Sequence, residues 1–167
     1  MQIPAPAGRA ATGKQILGTV NLQLQAKGVR ITTGTIVDAT ILHAPTSTKN
    51  REQQRDPEMH PTKKGNQWYF GMKAHVGVDS KTKIIHTAVA TANVADSAVL
   101  PDLLHGEETR VWGDQAYRGQ TQVIRECAPQ AQDCTHRRYR YKDCVDEVER
   151  AKNRTKSTVR GYQGTQA

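Results

Sequence analysis

Two aspartates stand where a carboxylate is hard to explain as surface decoration. Asp38 lies inside the β-branched run Thr35-Ile36-Val37-Asp38-Ala39-Thr40-Ile41-Leu42, and Asp114 ends the short run Thr109-Arg110-Val111-Trp112-Gly113-Asp114. An ionised side chain within an apolar strand needs a partner or a metal, because burying unpaired charge is costly. Two such groups on neighbouring strands repel one another unless a cation or a proton intervenes. Hard oxygen ligands select Mg²⁺ or Mn²⁺, and Mg²⁺ commonly takes one or two protein carboxylates plus the phosphate oxygens of a substrate. Two ions about 3.5–4 Å apart activate a water or a 3′-hydroxyl and stabilise the leaving oxygen in phosphodiester chemistry. On spacing alone, each aspartate also reads as a turn-former or a cap.

The elements that must position this pair follow from the pattern of the chain. Residues 1–13 are rich in Ala, Gly and Pro and read as a disordered or non-native leader. Ile16, Leu17, Val20 and Leu24 recur at helical spacing from Lys14 to Lys27, with Gly28 as a stop. The Asp38 run, bounded by Gly34 and Pro45, predicts a buried strand. Residues 43–66 read as a long polar loop. Trp68, Phe70, Met72, Ala74, Val76 and Val78 then alternate with polar or small residues, which predicts a strand with Lys73 and His75 on its solvent face. The turn Asp79–Thr82 leads to a second strand over 84–89 and closes a hairpin. A short helix near 97–104 with Asp96 or Ser97 as its cap, the Asp114 strand, a helix over 119–127 and a basic helix near 141–153 complete the set.

This order predicts an α/β domain with a mixed sheet. The hairpin flanks the first strand on one side, and the strand after the short helix lies parallel to it on the other, through a right-handed crossover. Asp38 and Asp114 then converge.

Composition narrows the setting. The 167 residues carry 24 Lys+Arg against 16 Asp+Glu, a formal charge of +8, and the mean hydropathy is −0.71. No stretch approaches the roughly eighteen apolar residues of a membrane span, and the first residues have neither the basic nor the apolar region of a secretory leader. The cysteines Cys127, Cys134 and Cys144 are too few for a disulfide framework, which fits a reducing cytoplasm. With His136 they suggest zinc only faintly, since no paired C-x₂-C spacing exists. From 137 to 160 nine basic residues face four acidic ones, with Tyr139 and Tyr141 interleaved. Such a segment can track a phosphate backbone, and it can equally be a solvated basic surface.

Five blocks share a further resemblance. Gly34–Ile41 with Ala44–Asn50, Trp68–Asp79, Thr91–Ser97, Val111–Gly119 and Lys152–Ser157 are similar, in that order, to blocks of bacterial insertion-sequence transposases of the IS-five type. That group lies within the D-D-E, ribonuclease H-like superfamily. The resemblance spans about residues 14–160 and implies an incomplete ribonuclease H-like sheet flanked by helices. It implies that Asp38 and Asp114 are the first two catalytic, metal-holding aspartates, with Mg²⁺ or Mn²⁺ as cofactor. It also implies insertion-sequence ends and target DNA as partners, with self-association and no membrane. Lys73, His75, Arg137, Arg138, Arg140, Lys152, Arg154, Lys156 and Arg160 are the expected DNA contacts. Tyr117 resembles a family position and is expected to pack.

The departures from the family set a second expectation. Family members carry a glutamate on a helix about four residues after the position of Arg160, where this chain has Gly164, and residues 161–167 contain no Asp or Glu. Glu126, Glu147 and Glu149 do not fit that spacing. The chain is therefore expected to be a catalytically incomplete fragment, with residues 14–160 as a partial catalytic domain and 161–167 as a non-native tail. A DNA-binding remnant without catalysis and a stand-alone metal-dependent nuclease are the alternatives.

Overall fold

The computed structural model describes residues 7–29, 33–45, 54–141 and 144–160. Strand β1 (Gly34–His43) is the centre of the sheet: its first residues Thr35, Ile36 and Val37 are fully buried. A β-branched run suits this place, since stiff branched side chains pack well on a pleated surface. Strand β3 (Gln67–Asp79) pairs antiparallel with β1 along nine residues, from Thr35↔Asp79 to His43↔Gly71. Strands β2 (His60–Lys64) and β4 (Ile85–Thr91) both lie along the other edge of β3, β2 beside its first half and β4 beside its second.

On the opposite side, β5 (Arg110–Trp112) runs parallel to β1, and the two-residue strand β6 (Gln132–Asp133) runs parallel to β5. The described sheet is therefore mixed and six-stranded, in the order β2-β3-β1-β5-β6 with β4 attached to β3. Helices α1 (Ala7–Ala26), α2 (Leu100–Leu103), α3 (Thr121–Cys127) and α4 (Glu147–Arg160) flank it. This is the mixed α/β arrangement of a ribonuclease H-like fold. Strands β7 (Arg140–Tyr141) and β8 (Cys144–Val145) form a separate small ladder before α4.

Several expectations shift. Helix α1 starts at Ala7, inside the segment read as a leader, because its alanines have the highest helix propensity. It ends where Gly28 takes a left-handed φ of 84°. The predicted apolar stripe of α1 is only partly used: Ile16 and Val20 are exposed, whereas Leu17 and Leu24 are half-buried. The expected loop 43–66 contains β2, whose charged residues hid a strand at the sheet edge. The short helix splits into a 3₁₀ turn, Asp96–Val99, and α2, with Pro101 accommodated in the first helical turn. The basic helix reaches Arg160, well past residue 153.

The core lies on one face of the sheet. Val37 and Val111 meet Val99, Leu100 and Leu103 around α2, Ile124 of α3, and Tyr117. Lys73, His75, Gly77 and Asp79 share this face, because each stands opposite an odd-numbered residue of β1. The expected solvent face of β3 is in fact covered, with His75 and Asp79 fully buried. The face that carries Lys73, His75 and Asp79 is the one covered by α2, the 3₁₀ turn and β4, so simple alternation misassigned it.

At Gly77 the backbone of α2 comes close to the sheet. A Cβ there would sit 2.6 Å from the Leu103 carbonyl oxygen and 2.8 Å from the His86 ring. Because the obstacle is backbone, relief requires α2 to move off the sheet. Gly77→Ala should therefore cost about 1–3 kcal/mol of stability, as overpacked cores do. Urea unfolding checks this, and a midpoint equal to that of the wild-type chain would refute the packing.

Candidate active site

The parallel pairing of β1 and β5 sets the site. Its register joins Gly34 to Arg110, Thr35 to Val111 and Ile36 to Trp112, each pair 76 positions apart. Asp38 and Asp114 are also 76 positions apart, so the register carried two residues past Trp112 sets them at one level, Asp38 in the middle of β1 and Asp114 just beyond the end of β5. Neighbouring strands lie about 4.8 Å apart.

Asp38 is half-buried: its Oδ1 accepts a hydrogen bond from the amide of Ala39 at 2.9 Å, and its Oδ2 lies 3.7 Å from an Arg160 guanidinium nitrogen. The partner demanded by its apolar strand is thus a cation from the last turn of α4. Asp114 precedes a 3₁₀ turn, Gln115–Tyr117, and its Oδ1 accepts the Ala116 amide at 2.9 Å.

A third carboxylate, Asp96, belongs to this neighbourhood. Asp96 was expected to cap a helix. Instead Ala95 occupies the cap without a side-chain bond, and Asp96 takes the Lys73 ammonium at 2.6 Å. His75 Nδ1 lies 3.8 Å away from the same oxygen. Asp96, Asp38 and Asp114 all act on the Tyr117 hydroxyl. Burial pushes its pKa well above the usual phenol value, the three carboxylates add to this, and Arg160 opposes them. The only advance sign of Asp96 was its place in the third resemblance block, Thr91–Ser97.

Three buried polar atoms around these carboxylates lack a hydrogen-bond partner: Tyr117 Oη, His75 Nδ1 and Arg160 Nε. Buried polar groups are normally satisfied, so such a cluster marks a place built for something other than packing. Among the described residues no three His, Cys, Asp or Glu side chains are grouped to hold an ion. The aspartate pair nevertheless fits Mg²⁺, a hard ion content with two protein carboxylates when phosphate oxygens and water supply the rest.

The other expected site residues divide. Lys73 and His75, expected at a solvent face, are enclosed by the 3₁₀ turn and β4: Lys73 is bound to Asp96 and the Val94 carbonyl, and His75 to the Thr91 hydroxyl at 2.8 Å. Arg137, Arg138, Arg140, Lys152 and Arg154 are exposed, with Lys152 paired to Glu149. Lys156 is tied to the Thr135 carbonyl at 2.7 Å. Arg118, Arg137 and Arg138 line a groove of about 430 Å³ with Thr135, His136 and one carboxylate, Asp133. Glu147 and Glu149 occupy the first turn of α4, and Glu149 is roughly 16 Å along the helix from Arg160. Glu126 bonds Gln122 on α3. Gly164 lies outside the described residues.

The family described as Transposase DDE domain matches residues 30–163. This chain belongs to the DDE transposase family. The match contains β1, β5 and the helix ending at Arg160, all the parts that frame the two aspartates. DDE transposases act on DNA with a divalent metal ion. No solved structure matches the chain. Among the described residues no helix is long and apolar enough to cross a membrane.

Two outcomes follow for this transposase domain. Removing an unpartnered buried hydroxyl relieves a desolvation cost. Tyr117→Phe should therefore leave the melting temperature unchanged or raise it, and a clear drop in a thermal scan would show that the hydroxyl is bonded. Burial pushes the pKa of His75 and of His136 below 6.5, opposed at His75 by Asp96 and assisted at His136 by Arg160 and Lys156. Groups depressed in the fold bind more protons when unfolded, so their stability contribution is complete above about pH 6.5 and is lost as pH falls below it. Urea midpoints should decline from pH 7.5 to pH 5.5; a rise would contradict these buried neutral rings.

Proposed function

We propose that the chain is the DNA-handling and metal-holding part of an IS-five type insertion-sequence transposase, with a cleavage site that lacks its third carboxylate. What carries this reading is the shared level of Asp38 and Asp114 on parallel strands. Asp38 and Asp114 would hold Mg²⁺ or Mn²⁺. A bound ion of this kind lowers the pKa of an attacking water and stabilises the oxygen that leaves phosphorus.

The remaining roles fall to the chain itself. Arg160 offsets the charge of Asp38 from the end of α4. Lys73 holds Asp96 against the site and neutralises it. Arg118, Arg137 and Arg138 offer a basic groove that suits a phosphate backbone. Gly164 stands where the family's glutamate is expected, so no carboxylate comes to Asp38 from that position after α4. With one ligand fewer, an ion pair at this site is poorly anchored, and cleavage is slow or absent.

Nicking of supercoiled plasmid in Mn²⁺ tests this reading. The wild-type chain should bind DNA with an affinity that drops on the order of a hundredfold from 50 to 200 mM salt for four phosphate contacts, while nicking stays at background. Gly164→Glu should raise nicking, and Asp38→Asn or Asp114→Asn in that variant should abolish it. Robust wild-type nicking, lost on Asp38→Asn, would instead establish a self-sufficient nuclease.

A further inference from the structure

Trp68 was expected in the core, yet it is 65% exposed. Its environment is specific. Lys63 stands directly opposite on β2, with its ammonium 5.8 Å from the centre of the Trp68 ring, and Lys64 and Gln67 adjoin them at the Gly65-Asn66 turn. An indole this open to water, with a cation beside its ring, offers a flat apolar face and a positive charge to the same partner.

The register shows where this surface points. Side chains paired across antiparallel strands share a face, so Asp38 and Val76 lie on one face of the sheet. Ala74, Met72, Phe70 and Trp68 follow on that face at a period of two, and Lys63 stands beside Trp68. The strip from the Asp38 carboxylate to the Trp68 ring thus runs along one side of the β3 ribbon, past the exposed Leu42. Eight residues of strand separate Val76 from Trp68, about 27 Å. At about 3.4 Å per nucleotide, this equals some eight nucleotides of one DNA strand.

Two occupants suit an exposed aromatic at a sheet edge: another copy of this chain, or a nucleic acid base. The edge itself argues against the first. Strand β2 carries Pro61, Lys63 and Lys64, and proline and lysine on an edge strand block pairing with a second sheet. The two lysines repel a basic copy of a chain with net charge +8, and they complement phosphate. The acidic residues nearest in sequence, Asp56 and Glu58, precede the base of the hairpin rather than its tip.

We infer that the β2–β3 hairpin is a base-stacking arm: Trp68 stacks on an unpaired base of DNA while Lys63 beside it holds the adjoining phosphate, roughly eight nucleotides from Asp38. The inference rests on DNA being the substrate, as proposed above, and adds that the substrate is held by an unpaired base. Every base presents a π-face, so the contact is indifferent to sequence and selects unpaired over paired strands.

Anisotropy of a labelled 20-nucleotide thymidine oligomer, and of a fully paired duplex, tests the arm. Trp68→Ala should weaken oligomer binding between about fivefold and a hundredfold, the range that loss of one stacked base gives. Trp68→Phe should recover most of this, and duplex affinity should change less than the oligomer's. In the wild-type chain the oligomer should quench tryptophan emission, and in Trp68→Phe, which keeps only Trp112, it should not. Equal oligomer affinity in wild type and Trp68→Ala, equal losses for oligomer and duplex, or a self-association that Trp68→Ala dissolves would each overturn the arm and leave the proposed function standing. A wild-type chain that binds neither DNA would remove both.

Discussion

Everything in this structure is arranged around the parallel hydrogen-bonded contact between β1 and β5. Three residue pairs suffice to fix it, because a parallel register admits no local slack: moving β5 by one residue would turn Val111 out of the core and lift Asp114 away from the level of Asp38. The register is secured from the core side by Val37 and Val111, both fully buried against α2 and Tyr117. Apolar packing thus specifies the separation of two charged groups that repel each other. Folding carries that electrostatic cost just past the paired stretch of the two strands, where solvent and Arg160 reduce it.

The start and the middle of β1 show how differently buried polarity can be treated. At its start the Glu108 carboxylate is fully buried, and it accepts hydrogen bonds from the Thr35 hydroxyl and the amides of His105 and Gly106. That network is satisfied and ties the crossover from α2 to the strand it feeds. Near Asp38 the opposite holds, with a tyrosine hydroxyl, an imidazole nitrogen and a guanidinium nitrogen left without partners. Closed networks rigidify a fold, whereas open ones retain capacity for a ligand. The same strand therefore anchors the sheet at its start and presents chemistry at its middle.

Charge is distributed along the same logic. The lysine most deeply involved at the site, Lys73, neutralises Asp96 inside the molecule. The arginines at 118, 137 and 138 line an open groove, and Lys63 of β2 lies beside an exposed indole. A basic composition by itself does not distinguish these three uses. Each depends on what packs over the residue, which is a property of layers rather than of the local segment.

Sequence alone determined the strand containing Asp38, the hairpin, the parallel neighbour that brings Asp114, and family membership through ordered blocks. These are legible because β-branched runs, turn residues and crossover handedness are local or nearly universal rules. The enclosure of Lys73 and His75, the exposure of Trp68, the edge strand β2 and the place of Asp96 beside Tyr117 were decided by tertiary structure. Period-two alternation reports that a strand has two faces. Which of them is covered depends on helices supplied from elsewhere: α2 closes over one half of β3, and at the hairpin tip Trp68 stays open to solvent.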